Sequence, residues 1–153
     1  MFPGHPLLLP GTSECSRCDT LRGERRIESR ASRPVLVAYV SGHGFGHFTR
    51  SEAVLELVAR AGVDVHLRTD QRALVLARHA PGVKSTQEVP TGPGVIQRGP
   101  VELDLEATLA ELAGYVEELD ALATHEAEAV RALGASLVYA DVPPVAFEAA
   151  QRA

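Results

Sequence analysis

The chain has 153 residues, of which 45% are hydrophobic and 23% are charged, values typical of a single soluble globular domain. Its formal net charge of −5 argues against a nucleic-acid partner, because binding to phosphate groups favours a basic surface. No apolar run approaches the roughly 18 residues of a membrane span, and residues 1–10 lack the basic start of a secretory signal, so we expect a cytoplasmic protein.

The first 33 residues differ in composition from the rest. Pro, Gly, Ser and Arg recur in them without a sustained hydrophobic period, which predicts a disordered extension over 1–33 and a folded domain over 34–153. The extension contains Cys15 and Cys18 in a Cys-x-x-Cys pair. A zinc site needs four ligands and His5 offers at most one more, while a redox pair needs a helix N-terminus that nothing nearby indicates. We therefore predict no metal site and interpret both thiols as incidental.

From residue 34 onward, segments with strand and helix patterns alternate. Runs of β-branched or alternating apolar residues predict strands, and apolar recurrence every three or four residues predicts helices. The longest helix has an apolar face from Leu105 to Leu133, and its acidic residues are interpreted as a solvated surface. Gly62 and Gly134 are predicted to end helices. The predicted elements are strand 35–40, helix 47–61, strand 63–68, helix 71–79, strand 83–89, loop 90–100, helix 105–133, strand 136–140 and a helix entered through Pro143 and Pro144.

Alternation of strands and helices is typical of a parallel sheet with right-handed crossovers. We therefore predict an α/β fold, a Rossmann-like parallel sheet of about four strands with flanking helices. Because four strands make a small sheet and the last helix would have little to pack against, residues 34–153 are interpreted as an incomplete domain. The apolar surface that the missing part would cover is expected to favour self-association.

The candidate site is the segment SGHGFGHFTR at 41–50. It follows the first predicted strand and leads into the first predicted helix, and ligands bind at the carboxyl ends of strands in open α/β sheets. Its glycines, Gly42, Gly44 and Gly46, are expected to set the backbone shape and to let the backbone approach a ligand closely. The start of the helix offers unpaired N–H groups, and the two histidines and the arginine transfer protons and bind anions. The pattern therefore indicates a ligand site.

This turn and two further segments resemble one family. The turn GHGFGHFTR, together with AGVDVH at 61–66 and SLVYADVPPVA at 136–146, resembles the start of GT-B glycosyltransferases, which have two Rossmann domains. The resemblance is strongest to the glycosyltransferase-like front domain of plant L-arabinokinases and its bacterial relatives, and it covers about 35–153. It implies that this chain is the N-terminal, acceptor-side part of a GT-B fold.

The resemblance also implies an activity and its residues. In inverting GT-B enzymes a histidine after the first strand deprotonates the acceptor hydroxyl, and an aspartate after a later strand orients that histidine. In this sequence the two positions match His47 and Asp141. An imidazole has an ordinary pKa of about 6.5 and can take such a proton, while a carboxylate on its second nitrogen fixes the tautomer. No cofactor is implied, because the donor is a nucleotide sugar held mainly by a C-terminal Rossmann domain that this chain lacks. The chain alone is therefore expected to be inactive.

The remaining residues of the turn are predicted to bind the acceptor, a small molecule or a glycan. Phe48 is expected to narrow the pocket. Arg50 is predicted to lie in the first turn of a helix, where a cation opposes the helix dipole, so it is expected either to face an anion, Asp141 or a phosphate, or to be simply exposed. The predicted substrate-binding residues are Gly42, His43, Gly44, Gly46, Thr49 and Arg50.

Alternative interpretations of these residues stay open. His47 could cap its own helix, and Asp141 could cap the last one. A dinucleotide-binding domain is a second hypothesis, with Asp70 at the ribose position, although His47 stands where the third glycine of that fingerprint is expected. A third is a non-catalytic, sugar- or nucleotide-binding regulatory domain that uses the same turn. The isolated histidines are interpreted as ordinary: His66, His79 and His125.

Overall fold

The computed structural model describes residues 32–77 and 80–153. The predicted extension lies outside the described residues except for 32 and 33, and the expectations for His5, Cys15, Cys18 and His79 lie outside them too. No helix among the described residues is long and apolar enough to cross a membrane. The elements are β1 (Val35–Val40), α1 (Phe45–Arg60), β2 (Asp64–Thr69), α2 (Gln71–Ala77), β3 (Val83–Glu88), α3 (Leu105–Ala132), β4 (Leu137–Asp141) and α4 (Pro144–Arg152).

The four strands form one parallel sheet in the order β3-β2-β1-β4. This arrangement, with helices between the strands, confirms the predicted α/β, Rossmann-like fold. β1 lies in the middle, and its last residue, Val40, is in register with Thr69 of β2 and with Asp141 of β4. Because parallel strands end at the same edge, the turn after β1 and the end of β4 become neighbours.

Two hydrophobic clusters cover the two faces of β1. Leu36, Ala38 and Val40 pack in the cluster formed with α1 and α2. Val37 and Tyr39 pack in the cluster formed with α3 and α4. Successive side chains of a strand point to opposite faces, so a strand covered on both faces is apolar throughout, as the sequence of β1 is.

Phe48 corrects one prediction about the site. Its side chain is 3% exposed and belongs to the cluster between α1 and the sheet. The prediction that Phe48 narrows the ligand pocket is therefore wrong. Its position on the inner face of α1 makes it a core residue instead.

The limits of the elements differ from prediction by a few residues. α1 begins at Phe45, two residues before the predicted start, so His47 is the third residue of the helix and lies in its first turn. Gly44 precedes it with φ +88°, a conformation that glycine adopts without a steric penalty. Gly62 and Gly134 follow the ends of α1 and α3 with φ +92° and +64°, as predicted for residues that end helices.

The apolar face of α3 packs on the domain only over the second half of the helix. Ala123 and Val130 are 0% and 4% exposed. In the first half the same face is open, and we call its residues the α3 stripe. The α3 stripe consists of Leu105, Leu109, Leu112 and Val116, which are 66%, 58%, 43% and 58% exposed.

Glu126 of α3 contradicts the prediction that the acidic residues of this helix are solvated. It is 1% exposed, accepts a hydrogen bond from the Tyr39 hydroxyl at 2.8 Å, and pairs with Arg68 Nη1 at 2.9 Å. Tyr39 and Arg68 are register partners on β1 and β2. Burial, together with the hydrogen bond to Glu126, raises the pKa of Tyr39 far above its ordinary value. A buried carboxylate is tolerated only when it is paired, so this cluster ties α3 to the sheet.

Candidate functional site

The turn between β1 and α1 is joined directly to the end of β4. The backbone N–H of Ser41 donates to the carbonyl of Asp141 at 3.2 Å, which extends the pairing of the two strands by one residue. The Ser41 hydroxyl in turn accepts from the backbone N–H of His43 at 3.2 Å. Gly44 is the N-cap of α1 and, having no side chain, leaves the first N–H groups of the helix without a side-chain cap among the described residues. The turn is therefore held by hydrogen bonds where it leaves β1, whereas the first N–H groups of α1 have no side-chain cap from a described residue.

Gly42 is required by a close approach. A Cβ at this position would clash with the carboxylate of Asp70. That carboxylate caps α2, accepting from the backbone N–H of Arg72 at 3.0 Å, and it also accepts from the hydroxyl of Thr91 at 3.2 Å. Asp70 is thus used inside the domain, which weakens the dinucleotide hypothesis that assigns it to a ribose.

Gly46 differs from the other two glycines of the turn. Its φ is not positive, and apart from its chain neighbours and the adjacent backbone of its own helix no described residue lies within 4 Å of where a Cβ would stand. The expectation that backbone shape requires all three glycines is therefore wrong at Gly46, because this residue already lies in the regular backbone of α1.

His47 and Asp141 meet at the carboxyl edge of the sheet. Nδ1 of His47 lies 3.1 Å from Oδ1 of Asp141, although 94 positions separate the two residues in the sequence. The side chain of Asp141 is 8% exposed and that of His47 is 34% exposed. The arrangement therefore has a buried carboxylate behind an imidazole that is accessible from solvent.

Arg50 and Ser51 complete the surroundings of Asp141. Nη2 of Arg50 donates to Oδ1 at 2.7 Å and to Oδ2 at 2.8 Å, so of the alternatives for Arg50 the structure shows the one with Asp141 as partner. Ser51, which is 0% exposed, donates its hydroxyl to Oδ2 at 2.9 Å. Sequence reasoning missed Ser51. Its spacing offered a signal, because His47, Arg50 and Ser51 stand at i, i+3 and i+4 on one face of α1.

These hydrogen-bond donors stabilise the charged form of Asp141. Burial by itself raises the pKa of the carboxyl, but the hydrogen bonds from Arg50, Ser51 and His47 outweigh it and leave the pKa below its ordinary value. Asp141 does not cap the last helix, because the N-cap of α4 is Pro143 and no described side chain bonds there. The alternative in which Asp141 caps α4 is therefore wrong.

A cavity of about 520 Å³ lies beside the turn, and His43 is in its wall. Nε2 of His43 accepts from the backbone N–H of Val95 at 3.1 Å, and the ring packs so closely on Gly94 that a Cβ there would clash. His47 is not among the lining residues, so the cavity and the His47–Asp141 pair are separate features of the site. The cavity is lined by His43, Asp70, Gln71, Arg72, residues 92–97 and Glu111.

The other predicted binding residues lie on the outer side of the turn. Gly44 and Gly46 are exposed. The hydroxyl of Thr49 is exposed and donates to the carbonyl of Gly46 at 3.3 Å. Binding of an acceptor by these residues stays a prediction. Of the isolated histidines, His66 has Nδ1 2.7 Å from the Ser85 hydroxyl, and His125 is exposed, with Nδ1 3.4 Å from Oε1 of Glu126.

Comparison with known proteins gives two matches. No family model matches the chain. In sequence the chain is similar to an L-arabinokinase from Arabidopsis thaliana, with 34% identity over 131 residues, which is 81% of this chain but 12% of the length of that protein. In structure it is similar to the crystal structure of MurG from Acinetobacter baumannii, with a TM-score of 0.48 and 14% identity, covering 78% of this chain and 31% of that one. The chain thus spans only a small part of either protein. The sequence similarity confirms the predicted resemblance to L-arabinokinase, and the parallel sheet is the Rossmann-like fold expected of a GT-B glycosyltransferase-like domain.

Proposed function

We propose that residues 34–153 form the acceptor-side part of a GT-B glycosyltransferase, which moves a sugar from a nucleotide-sugar donor to a hydroxyl of a small-molecule or glycan acceptor. The observation that supports this most is the 3.1 Å contact between His47 Nδ1 and Asp141 Oδ1 at the carboxyl edge of the sheet. A second Rossmann domain that holds the donor belongs to the proposal as a partner. A cytoplasmic location is proposed on the sequence grounds given above.

His47 acts as the general base in this proposal. With a proton on Nδ1 that is donated to Asp141, the lone pair of the ring is on Nε2, which has no hydrogen bond to any described residue. Nε2 takes the proton of the acceptor hydroxyl. At the same time the oxygen of that hydroxyl bonds to the anomeric carbon of the donor, and the bond from this carbon to the nucleotide phosphate breaks. Asp141 stabilises the imidazolium that results.

The backbone after Asp141 also supports a functional role for this edge. Val142 has φ +85°, a conformation that is strained for a β-branched residue. Strain of this kind concentrates at functional sites, where the surrounding structure holds it in place. Here the strained residue directly follows the carboxylate that contacts His47.

A second candidate function is a non-catalytic sugar-binding domain. It is favoured by the Arabidopsis relative, whose name describes a kinase acting on L-arabinose and of which this chain matches only 12%. In that case the same turn would bind a sugar, and the His47–Asp141 pair would orient a hydrogen bond to one of its hydroxyls.

The test has a binding arm and a turnover arm. Backbone amide shifts of the chain are recorded with L-arabinose and with UDP-glucose. Transfer of radiolabelled sugar from each of a panel of UDP-sugars is assayed with the complete protein that carries this domain. We expect L-arabinose to shift amides at 42–50. Transfer that accompanies binding supports the transferase, whereas binding without transfer from any of a panel of UDP-sugars supports the non-catalytic domain. Absence of shifts at the turn together with absence of transfer contradicts both.

The role of His47 is tested by His47→Gln in the complete protein. We expect kcat to fall about 10²- to 10⁴-fold, as for loss of a general base, while sugar binding is retained. The matched control is His125→Gln, since the side chain of His125 is 76% exposed on α3, and it should leave kcat unchanged. Unchanged transfer by His47→Gln would remove His47 from the chemistry.

A further inference from the structure

The cavity beside the turn is formed by segments that follow three neighbouring strands. His43 belongs to the turn after β1, residues 70–72 come directly after β2, and residues 92–97 belong to the loop after β3. α3 contributes Glu111. Because the three strands are parallel, these segments meet at the carboxyl edge of the sheet, where α/β folds bind their ligands. The cavity volume of about 520 Å³ lies within the range of small-molecule sites.

Contacts between the three segments hold them together. Gly42 lies so close to the carboxylate of Asp70 that a Cβ would clash with it, and the same carboxylate accepts from the Thr91 hydroxyl at 3.2 Å. Nε2 of His43 accepts from the backbone N–H of Val95 at 3.1 Å. The turn after β1 is therefore tied both to the segment after β2 and to the loop after β3.

The start of α3 holds the loop after β3 from another side. The backbone N–H of Ile96 donates to the Thr108 hydroxyl at 3.0 Å, and the carbonyl of Ile96 accepts from the backbone N–H of Asp104 at 2.8 Å. Consecutive residues of the loop, Val95 and Ile96, are thus bonded to the turn and to α3. The walls of the cavity are held by the protein itself, as is usual for a ligand site.

The lining of the cavity combines polar groups with a small apolar surface. Its exposed polar residues are Gln71, Arg72, Gln97 and Glu111. Its apolar side chains are those of Pro93, Val95 and Ile96. The amide, guanidinium and carboxylate groups include both hydrogen-bond donors and acceptors. A sugar matches this combination, because each of its hydroxyls donates and accepts and its ring C–H groups are apolar.

The charge of the lining argues against an anionic ligand. With histidine counted as neutral, the lining has two carboxylates, of Asp70 and Glu111, and one cation, Arg72, so its formal net charge is −1. A carboxylate or phosphate group in the cavity would face both carboxylates, which disfavours it relative to a neutral group. The cavity is therefore better suited to a neutral sugar than to the diphosphate of a nucleotide sugar.

We propose that this cavity binds a neutral mono- or disaccharide, which is the acceptor of the transfer proposed above. The inference rests on that proposed function for the role of the sugar, but binding in the cavity is measured without transfer. It adds residues 71–72, residues 93–97 and Glu111 to the binding residues, all of which lie outside the turn motif.

The experiment records backbone amide shifts of the full chain with L-arabinose, D-galactose and D-galacturonate. These sugars share one ring configuration and differ only at C5, which carries a hydrogen, a hydroxymethyl group or a carboxylate. We expect the two neutral sugars to shift the amides at 71–72 and 94–97. We expect D-galacturonate to bind about tenfold more weakly than D-galactose, the effect of a like charge near the ligand in a solvent-like dielectric.

Two variants test the lining, each with a matched control. Glu111→Ala and Arg72→Ala each remove one polar group at an exposed position, and we expect each to raise the Kd of D-galactose about tenfold, as for loss of a hydrogen bond to a charged group. Glu117→Ala makes the first change at an exposed position of α3 outside the cavity, and Arg60→Ala makes the second on α1. Both controls should leave the Kd unchanged.

Three results would overturn the inference: no shift at 71–72 and 94–97 with either neutral sugar, binding of D-galacturonate as tight as that of D-galactose, or equal Kd values for Glu111→Ala and Glu117→Ala. The proposed transfer is judged separately, by turnover of the complete protein and by His47→Gln. Either proposal can therefore fail while the other stands.

Discussion

The carboxylate of Asp141 is the point at which the residues of this site meet. The turn motif and its resemblance predicted His47 and Asp141 as a pair, and the structure brings them into contact. Ser51 was not predicted, because a serine inside an amphipathic helix has the same pattern whether it faces solvent or a buried acid. Only the position of β4 next to β1 shows which face of α1 meets the carboxylate.

The glycines of the turn give a matched pair of stability predictions. Gly42→Ala places a Cβ against the Asp70 carboxylate, so we expect a loss of about 1–3 kcal/mol in the free energy of unfolding. Gly46→Ala adds a methyl group in open space within a helix, and we expect a gain of about 0.5–1 kcal/mol. Urea unfolding measures both. Equal effects at the two positions would contradict the described turn. If sugar binding weakens in a stable Gly46→Ala variant, Gly46 serves close approach of a ligand.

Asp141 gives a prediction about pH. Its pKa is lower in the folded chain than in the unfolded one, so its stabilising contribution is complete above the unfolded pKa of about 3.9 and is lost as the pH falls through the folded value. We expect the free energy of unfolding of Asp141→Asn to be about 1–3 kcal/mol lower than that of the wild type at pH 7. The difference should shrink below about pH 4. Urea unfolding at both pH values checks this, and a difference independent of pH would show that charge is not involved.

At the scale of elements, α3 shows how far a hydrophobic pattern predicts packing. The spacing of apolar residues is the same along the whole helix, so the sequence predicted one continuous apolar face. The structure buries Ala123 and Val130 but leaves Leu105 and Leu109 exposed. The spacing predicts which side of a helix is apolar, but how much of that side is covered depends on where α4 and the sheet lie.

The buried pair of Glu126 and Arg68 is expected to hold α3 on the sheet. Glu126→Gln leaves the cation of Arg68, 8% exposed, without its counter-charge, and we expect a loss of about 3–5 kcal/mol in the free energy of unfolding. Glu128→Gln is the matched control, because Glu128 is an exposed residue two positions away on α3, and it should change the stability by less than about 0.5 kcal/mol. Urea unfolding of the two variants is compared. Similar losses in the free energy of unfolding for the two variants would mean that the buried pair does not stabilise the contact between α3 and the sheet.

At the scale of the whole molecule, the α3 stripe leads to a prediction about assembly. Four neighbouring apolar side chains, 43–66% exposed, favour association of copies of the chain. We expect concentration-dependent association in sedimentation velocity, and we expect the double variant Leu109→Glu, Val116→Glu to sediment as a monomer. Because both side chains are exposed, each substitution should change the free energy of unfolding by no more than about 0.5 kcal/mol. A wild type that stays monomeric at all concentrations would contradict the prediction.

The sequence by itself determined the local structure and the chemistry that each segment carries. Apolar runs and helical spacing predicted the strands and helices to within a few residues, because burial imposes those periods along the chain. The turn at 41–50 was recognisable because its residues are contiguous. The tertiary structure alone decided that β4 lies beside β1, that Ser51 and Arg50 face Asp141, and that Glu126 is buried. These contacts join residues as far apart in the sequence as Leu36 and Leu137. They depend on strand order and helix placement, which are set by covering both faces of the sheet and not by any local pattern.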